Sequence, residues 1–262
     1  MGAITEGRVR RFLAATATSL TLAIAVGAAP ARGADDGWTE LIGPRGFEEW
    51  SAAGTDWKLV GAVGLDPANA RRFVARPGEG RVIYNGPTGR TRNIVTTRSY
   101  GDVEVHFEFN VPKGSNSGVK FEGVYEIQIA DSFGVKVPTA SHCGGIYPRA
   151  ELLPVYHHID KGFPPKVNAA KPAGEWQALD VVFRAPRFDA SGRKVANARV
   201  EKAVLNGVVI QEDVEVPYPT GNAWHDAERP EGPILLQADH GPVAFRNIRV
   251  RPRPVTPRGA GG

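Results

Sequence analysis

The sequence predicts an all-β protein, a two-sheet antiparallel β-sandwich in a single domain, and three observations carry that expectation. Apolar and polar residues alternate with period 2 in run after run. The runs recur at short spacing, separated by turns drawn from 31 Gly and 21 Pro. Helical periodicity is scarce, which argues against a sheet built from strand–helix–strand units.

The chain opens on a segment that reads as a leader rather than as fold. Arg8, Arg10 and Arg11 form a basic start, and Phe12 to Ala29 is uncharged and mostly apolar. Ala29-Pro30-Ala31 and Arg32-Gly33-Ala34 then offer small-residue cleavage sites. The rival is an uncleaved anchor, since the apolar run approaches the length that crosses a bilayer. Thr16, Thr18, Ser19, Thr21 and Gly27 dilute it and argue against that rival. Arg10-Arg11-Phe12-Leu13 resembles a twin-arginine signal but is one residue short, so the export route stays open. The expectation is that residues 1–34 are removed, leaving a periplasmic or secreted protein with no membrane partner.

The formal net charge of the 262-residue chain is +4. Cleavage after Ala31 removes Glu6, Arg8, Arg10 and Arg11 and lowers it to +2. So small a charge, with no basic stripe interleaved with aromatics, gives no reason to expect nucleic acid. Cys143 is the single cysteine, so no internal disulfide forms and the fold must stand on its core. Cys143 itself reads as a buried small residue, because no basic helix start adjoins it.

Strands are expected where alternation is cleanest. Val103, Val105, Phe107 and Phe109 alternate with Glu104, His106 and Glu108, and Val119 and Phe121 with Lys120 and Glu122. Tyr125, Ile127 and Ile129 alternate with Glu126 and Gln128, and Leu179, Val181 and Phe183 with Asp180 and Arg184. Asn206-Gly207, between Val204-Leu205 and Val208-Ile210, is a strong hairpin turn signal. Two long irregular stretches, 154–174 and 217–233, interrupt the pattern, and such loops are often functional. The domain is placed at 38–252, followed by a disordered Pro/Gly-rich tail at 253–262. Trp50 and Trp176 are assigned to the core.

Several segments together resemble the 3-keto-disaccharide hydrolase domain family. They are Gly114-Ser115-Asn116-Ser117-Gly118-Val119, Tyr125-Glu126-Ile127-Gln128-Ile129-Ala130-Asp131, Gly144-Gly145-Ile146-Tyr147 and Gly174-Glu175-Trp176-Gln177. Leu205-Asn206-Gly207, Leu236-Gln237-Ala238-Asp239-His240-Gly241 and Phe245-Arg246-Asn247-Ile248-Arg249-Val250 follow in order. The resemblance runs from about Trp38 to Pro252. It implies a concanavalin-like jelly roll with a ligand cleft on a concave face, and action on glycosides whose sugar is oxidised at carbon 3. Two features depart from the family pattern. Leu41-Ile42-Gly43-Pro44 replaces the usual opening before Trp50, and Glu122 stands where many members carry Arg, which alters the charge expected in that part of the cleft.

A ketone at carbon 3 acidifies the hydrogen on carbon 2. Cleavage then needs a base, a donor or cation for the enolate oxygen, and an acid for the leaving group. Glu126 is the first candidate for base or metal ligand, because Tyr125 and Ile127 turn one way and send Glu126 and Gln128 the other. Periodicity alone favours a solvated glutamate on an exposed face, and the family resemblance reverses that preference. His240 is a candidate proton shuttle or a turn cap. Asp239 beside it is expected to point the opposite way. Arg246 is a candidate for an enolate or sugar oxygen, with a structural ion pair as the alternative. Asn116, Gln128 and Gln237 suit sugar hydroxyls, Tyr147 suits a pyranose face, and Glu151 is a further titratable group near the ligand. A divalent ion would suit the enolate, yet no two of Glu126, Glu151, His142, His157, His158 and His240 stand in a recognised ligand spacing. The expected partner is a carbohydrate. The rival is a carbohydrate-binding module without chemistry, which the same amides and aromatic ring would serve.

Overall fold

A computed structural model describes residues 1–2, 37–43 and 46–254 of the chain. The proposed leader beyond residue 2 and most of the tail lie outside the described residues. Two antiparallel sheets face one another across a shared core, as the alternating runs demand. The larger has eight strands, in the spatial order Val208–Val216, Ala198–Leu205, Gln177–Arg184, Val103–Asn110, Ala244–Pro252, Val82–Tyr84 and Lys58–Val60. Thr39–Glu40 adds its eighth strand by pairing with Ala244–Pro252. The smaller sheet has five, ordered Tyr125–Ala130, Asn116–Phe121, Leu235–Leu236, Ile94–Thr96 and Trp50–Ser51. Among the described residues the only helical element is the 3-10 turn Asn222–His225, and no helix is long and apolar enough to cross a membrane.

Period 2 sorts each strand into a core face and an outer face. On Val103–Asn110, Val103, Val105, Phe107 and Phe109 are sealed in the core. Their neighbours Glu104, His106 and Glu108 turn outward and meet Arg251, Asp180 and Arg246 at 2.5–2.7 Å. The outer face of the large sheet is therefore a lattice of ion pairs across neighbouring strands. From the smaller sheet, Phe121 stacks on Phe183 of the larger at 4.8 Å between ring centroids. Tyr125 packs on the same ring at 5.6 Å, so aromatic contacts join the layers. Asn206 and Gly207 both take positive φ (52° and 84°) and join Leu205 to Val208 in a two-residue loop, as the dipeptide predicts. Cys143 is wholly buried, and burial pushes its thiol up to about 12.

One core assignment needs correction. Trp50 is buried in the main cluster and donates from Nε1 to Leu41 O at 2.7 Å. Trp176 lies one residue ahead of the strand Gln177–Arg184 and is only partly buried. It packs against a separate small cluster of Val60, Phe73, Val82, Tyr84 and Ala244, with the Arg246 guanidinium 4.1 Å from its ring centre. Its position just before the strand puts the indole on the outer side of the sheet.

Candidate active site

A cavity of about 350 Å³ opens on the face of the five-stranded sheet that points away from the core. Two adjacent strands supply its floor. Tyr125–Ala130 pairs with Asn116–Phe121 so that Glu126 lies opposite Lys120 and Gln128 opposite Gly118. Tyr125, Ile127 and Ile129 go into the core, which sends Glu126 and Gln128 together into the cavity, as period 2 requires. Lys120 and Asn116 come up beside them from the neighbouring strand.

The Glu126 carboxyl is 4% exposed and held on both oxygens. Lys120 Nζ lies 3.2 Å from Oε2. With its amide nitrogen turned toward the carboxylate, Gln128 donates to Oε1 at 3.2 Å and to Ser117 O at 2.8 Å. Burial raises the Glu126 pKa; the Lys120 charge works against that, and the net direction is upward. A carboxyl made more basic by burial, with a buried lysine beside it that favours its charged form, suits the role of a proton-abstracting base.

Gly118 makes room for this arrangement. A Cβ there would lie 2.3 Å from Glu126 Oε1 and 2.8 Å from Cδ, so the carboxyl rests directly over the glycine. Gly118→Ala is expected to push the carboxyl off Lys120 and lower kcat by about tenfold to a hundredfold. Turnover measured beside a melting curve checks this, and unchanged kcat in the folded variant would contradict it.

The walls come from loops. Glu126 N donates to Thr220 Oγ1 at 2.9 Å, and its carbonyl accepts from Tyr147 N at 3.1 Å. Gln128 N donates to Gly145 O, and its carbonyl accepts from Gly144 N. The outer edge of the strand is therefore covered and cannot pair with another chain. On the opposite side, Gln237 presents an Oε1 that is buried without a partner, a free acceptor for a ligand hydroxyl. His240 also lines the cavity, and its Nδ1 lies 2.6 Å from Asp239 Oδ1. The pairing fixes the imidazole and leaves Nε2 for a ligand.

A model of the 3-keto-alpha-glucoside-1,2-lyase-like domain matches residues 37–251. The chain belongs to this family. Among solved structures, it resembles a candidate glycosyl hydrolase from Parabacteroides distasonis with a TM-score of 0.60 at 23% identity, over 83% of this chain and 84% of that one. A second candidate glycosyl hydrolase from the same organism gives 0.52 at 20% identity, over 82% and 99%. At these identities the likeness is one of fold, a jelly-roll-like sandwich. No curated protein matches the chain. Family membership makes this a carbohydrate-active protein, and a carbohydrate is its ligand class.

Of the residues singled out from sequence, the family fold brings Asn116, Glu126, Gln128, Tyr147, Gln237 and His240 to one cavity. Two lie elsewhere. Arg246 sits on the large sheet, bonded to Glu108 at 2.6 Å and stacked on Trp176, so it has the ion-pair surroundings of the alternative reading. Glu151 alternates away from its lining neighbours Ala150 and Leu152 and meets His225 at 3.3 Å. The expected separation of Asp239 from His240 is also corrected. The strand stops at Leu236, and a bend carries both side chains together. Lys120 is the member that the sequence reading passed over, as the polar half of an alternating pair.

Glu122, expected in the cleft, lines a separate cavity of about 300 Å³ with Val124, Asp226 and Arg229. Both its carboxyl oxygens are buried without partners, and burial, with Glu228 and Asp102 nearby, pushes its pKa up to about 9. The native chain thus keeps a proton that the unfolded chain releases above about 4.5, so stability falls as pH rises from about 4.5 to about 9. Glu122→Gln is expected to stabilise the protein by on the order of 2 kcal/mol at pH 7 and to flatten that slope. Denaturation at several pH values checks it; parallel curves for parent and variant would contradict it.

Among the described residues, no group of three or more His, Cys, Asp and Glu stands close enough to hold a metal ion. His157 and His158 diverge, as neighbours on one strand should: His157 Nδ1 meets Val155 O, while His158 joins Tyr147 and Tyr156.

Proposed function

We propose that this protein cleaves 3-keto-glycosides by elimination followed by hydration, with Glu126 as the base. The observation that carries the reading is the buried Glu126–Lys120 pair on the floor of a polar cavity in a chain of this family. Glu126 takes the proton from carbon 2, and the electron pair moves toward the carbon 3 oxygen as an enolate. Negative charge thereby leaves the carboxylate and appears on the ligand, where the Lys120 ammonium, already beside Glu126, stabilises it. Collapse of the enolate forms the carbon 1–carbon 2 double bond and breaks the glycosidic bond. His240, steadied by Asp239, gives the departing oxygen its proton. Water then adds its oxygen to carbon 1 and a hydrogen to carbon 2, giving the free 3-keto-sugar. Asn116, Gln128 and Gln237 bind the remaining hydroxyls, and Tyr147 offers a ring face.

The test is incubation of the purified protein with a 3-keto-glucoside and with the same glucoside unoxidised. Release of sugar from the first alone is expected. Binding of both without release would favour a carbohydrate-binding module instead.

Residues 1–34 are proposed to be lost on export, so that the reaction takes place in the periplasm or outside the cell. Intact mass of the native protein should then begin at Arg32 or Asp35. Protein beginning at Met1 in the membrane fraction would overturn this.

A further inference from the structure

Next to the polar floor, one wall of the same cavity ends in an apolar tip. Ala150–Glu151 and His157–His158 pair as a small hairpin, with Ala150 opposite His158. The residues between them are Leu152, Leu153, Pro154, Val155 and Tyr156. Four of these large apolar side chains stand in solvent: Leu152 is 53% exposed, Leu153 79%, Val155 74% and Tyr156 50%. An uninterrupted apolar tip of this kind is costly on a free surface and marks a binding site.

The hairpin is anchored at its base rather than loose. Ala150 N donates to Gly221 O at 2.9 Å, and Trp224 Nε1 donates to Ala150 O at 3.2 Å. Tyr156 OH meets Tyr147 OH at 2.6 Å and His158 Nε2 at 2.9 Å. Leu152 and Tyr156 line the cavity that also holds Glu126 and His240, so tip and floor form one continuous surface. A protein partner seated on the tip would cover the mouth of that cavity. A ligand with a polar half and an apolar half would fill both parts at once.

We infer that the 152–156 tip is the aglycone shelf of the site, and that the preferred substrates are glycosides of apolar, planar aglycones such as phenols. The inference rests on the sugar-binding reading of the cavity. With the sugar ring over Glu126, Lys120 and Gln128, the group on carbon 1 projects toward the wall that Leu152 lines, where Leu152 and the exposed Leu153 next to it in the chain supply an apolar surface. A second sugar in that position would find neither donor nor acceptor on these side chains.

The test uses glycosides that carry no ketone and so are not eliminated. Affinities of phenyl glucoside and methyl glucoside, each as both anomers, are measured by titration calorimetry on the parent and on Leu152→Ser/Leu153→Ser. Both substituted positions are exposed, so the variant should melt like the parent. The better phenyl anomer should bind about tenfold more tightly than its methyl counterpart, a gap of about 1.4 kcal/mol, and the variant should close the gap. Equal affinities in the parent, absence of binding by any of the four, or a gap that survives in the variant would each overturn the inference. Tip-dependent phenyl glucoside binding in a protein that releases no sugar from 3-keto-glycosides would leave the shelf standing and remove only the catalytic reading.

Discussion

Glu126→Gln is expected to fold and to bind ligand nearly as the parent does, while turnover falls by about a hundredfold or more. The amide keeps the shape of the carboxyl. Its oxygen can still face Lys120, and Gln128 can turn its own amide to accept from the new nitrogen. What disappears is the ability to take a proton. The loss should therefore fall on kcat and kcat/KM together. In the parent, the acid limb of kcat/KM should lie above the ordinary glutamate range, because burial raises this carboxyl and activity needs its ionised form. His240→Gln should lower kcat comparably, since the leaving oxygen then departs without its proton. Gln128→Ala should raise KM more than it lowers kcat. Full activity in a folded Glu126→Gln protein would falsify the role of base given to Glu126.

Trp50→Ala is expected to cost about 3–5 kcal/mol, and Trp176→Ala only about 1 kcal/mol. Trp50 is sealed between Leu41 and the core, and its removal opens a cavity and leaves Leu41 O without its 2.7 Å donor. Trp50→Phe should recover much of the packing but not that hydrogen bond. Trp176 is half-buried on the outer side of the large sheet, and its replacement mainly removes a surface under Arg246. Denaturant unfolding of the three variants checks the order. Equal losses at the two alanine positions would place Trp176 in the core after all.

Much of the fold is legible because period 2 is a local property. Tyr125, Ile127 and Ile129 against Glu126 and Gln128 already separate core from site, and Asn206-Gly207 already marks its hairpin. Most of what was missed depends on which strands become neighbours. Lys120 matters because the loop 122–124 sets a register that puts it opposite Glu126, and alternation within one strand does not reveal the facing residue. Glu122, two residues on, leaves the strand at a positive φ of 54° and so departs from the face that Lys120 shares. Arg246 belongs to the outer face of the large sheet and Glu126 to the outer face of the small one, a distinction that an alternating pattern cannot draw. The signal that could have found Lys120 was present: a lone lysine at the polar position of a strand whose other outward residues, Asn116 and Gly118, are uncharged.

Hydrogen exchange at carbon 2 separates elimination from direct displacement. A 3-keto-glucoside is turned over in heavy water, and the released sugar is examined early, with a no-enzyme sample to correct for spontaneous enolisation. Removal of the carbon 2 proton by Glu126, elimination and hydration place a solvent deuteron on carbon 2 of the product wherever the proton on Glu126 exchanges before hydration, and give a primary isotope effect on release when carbon 2 of the substrate carries deuterium. Glu126→Gln should slow release and labelling together. Sugar released with its original carbon 2 hydrogen and with no primary isotope effect from deuterium at carbon 2 would mean direct displacement at carbon 1, and would contradict the mechanism derived from the Glu126–Lys120 pair.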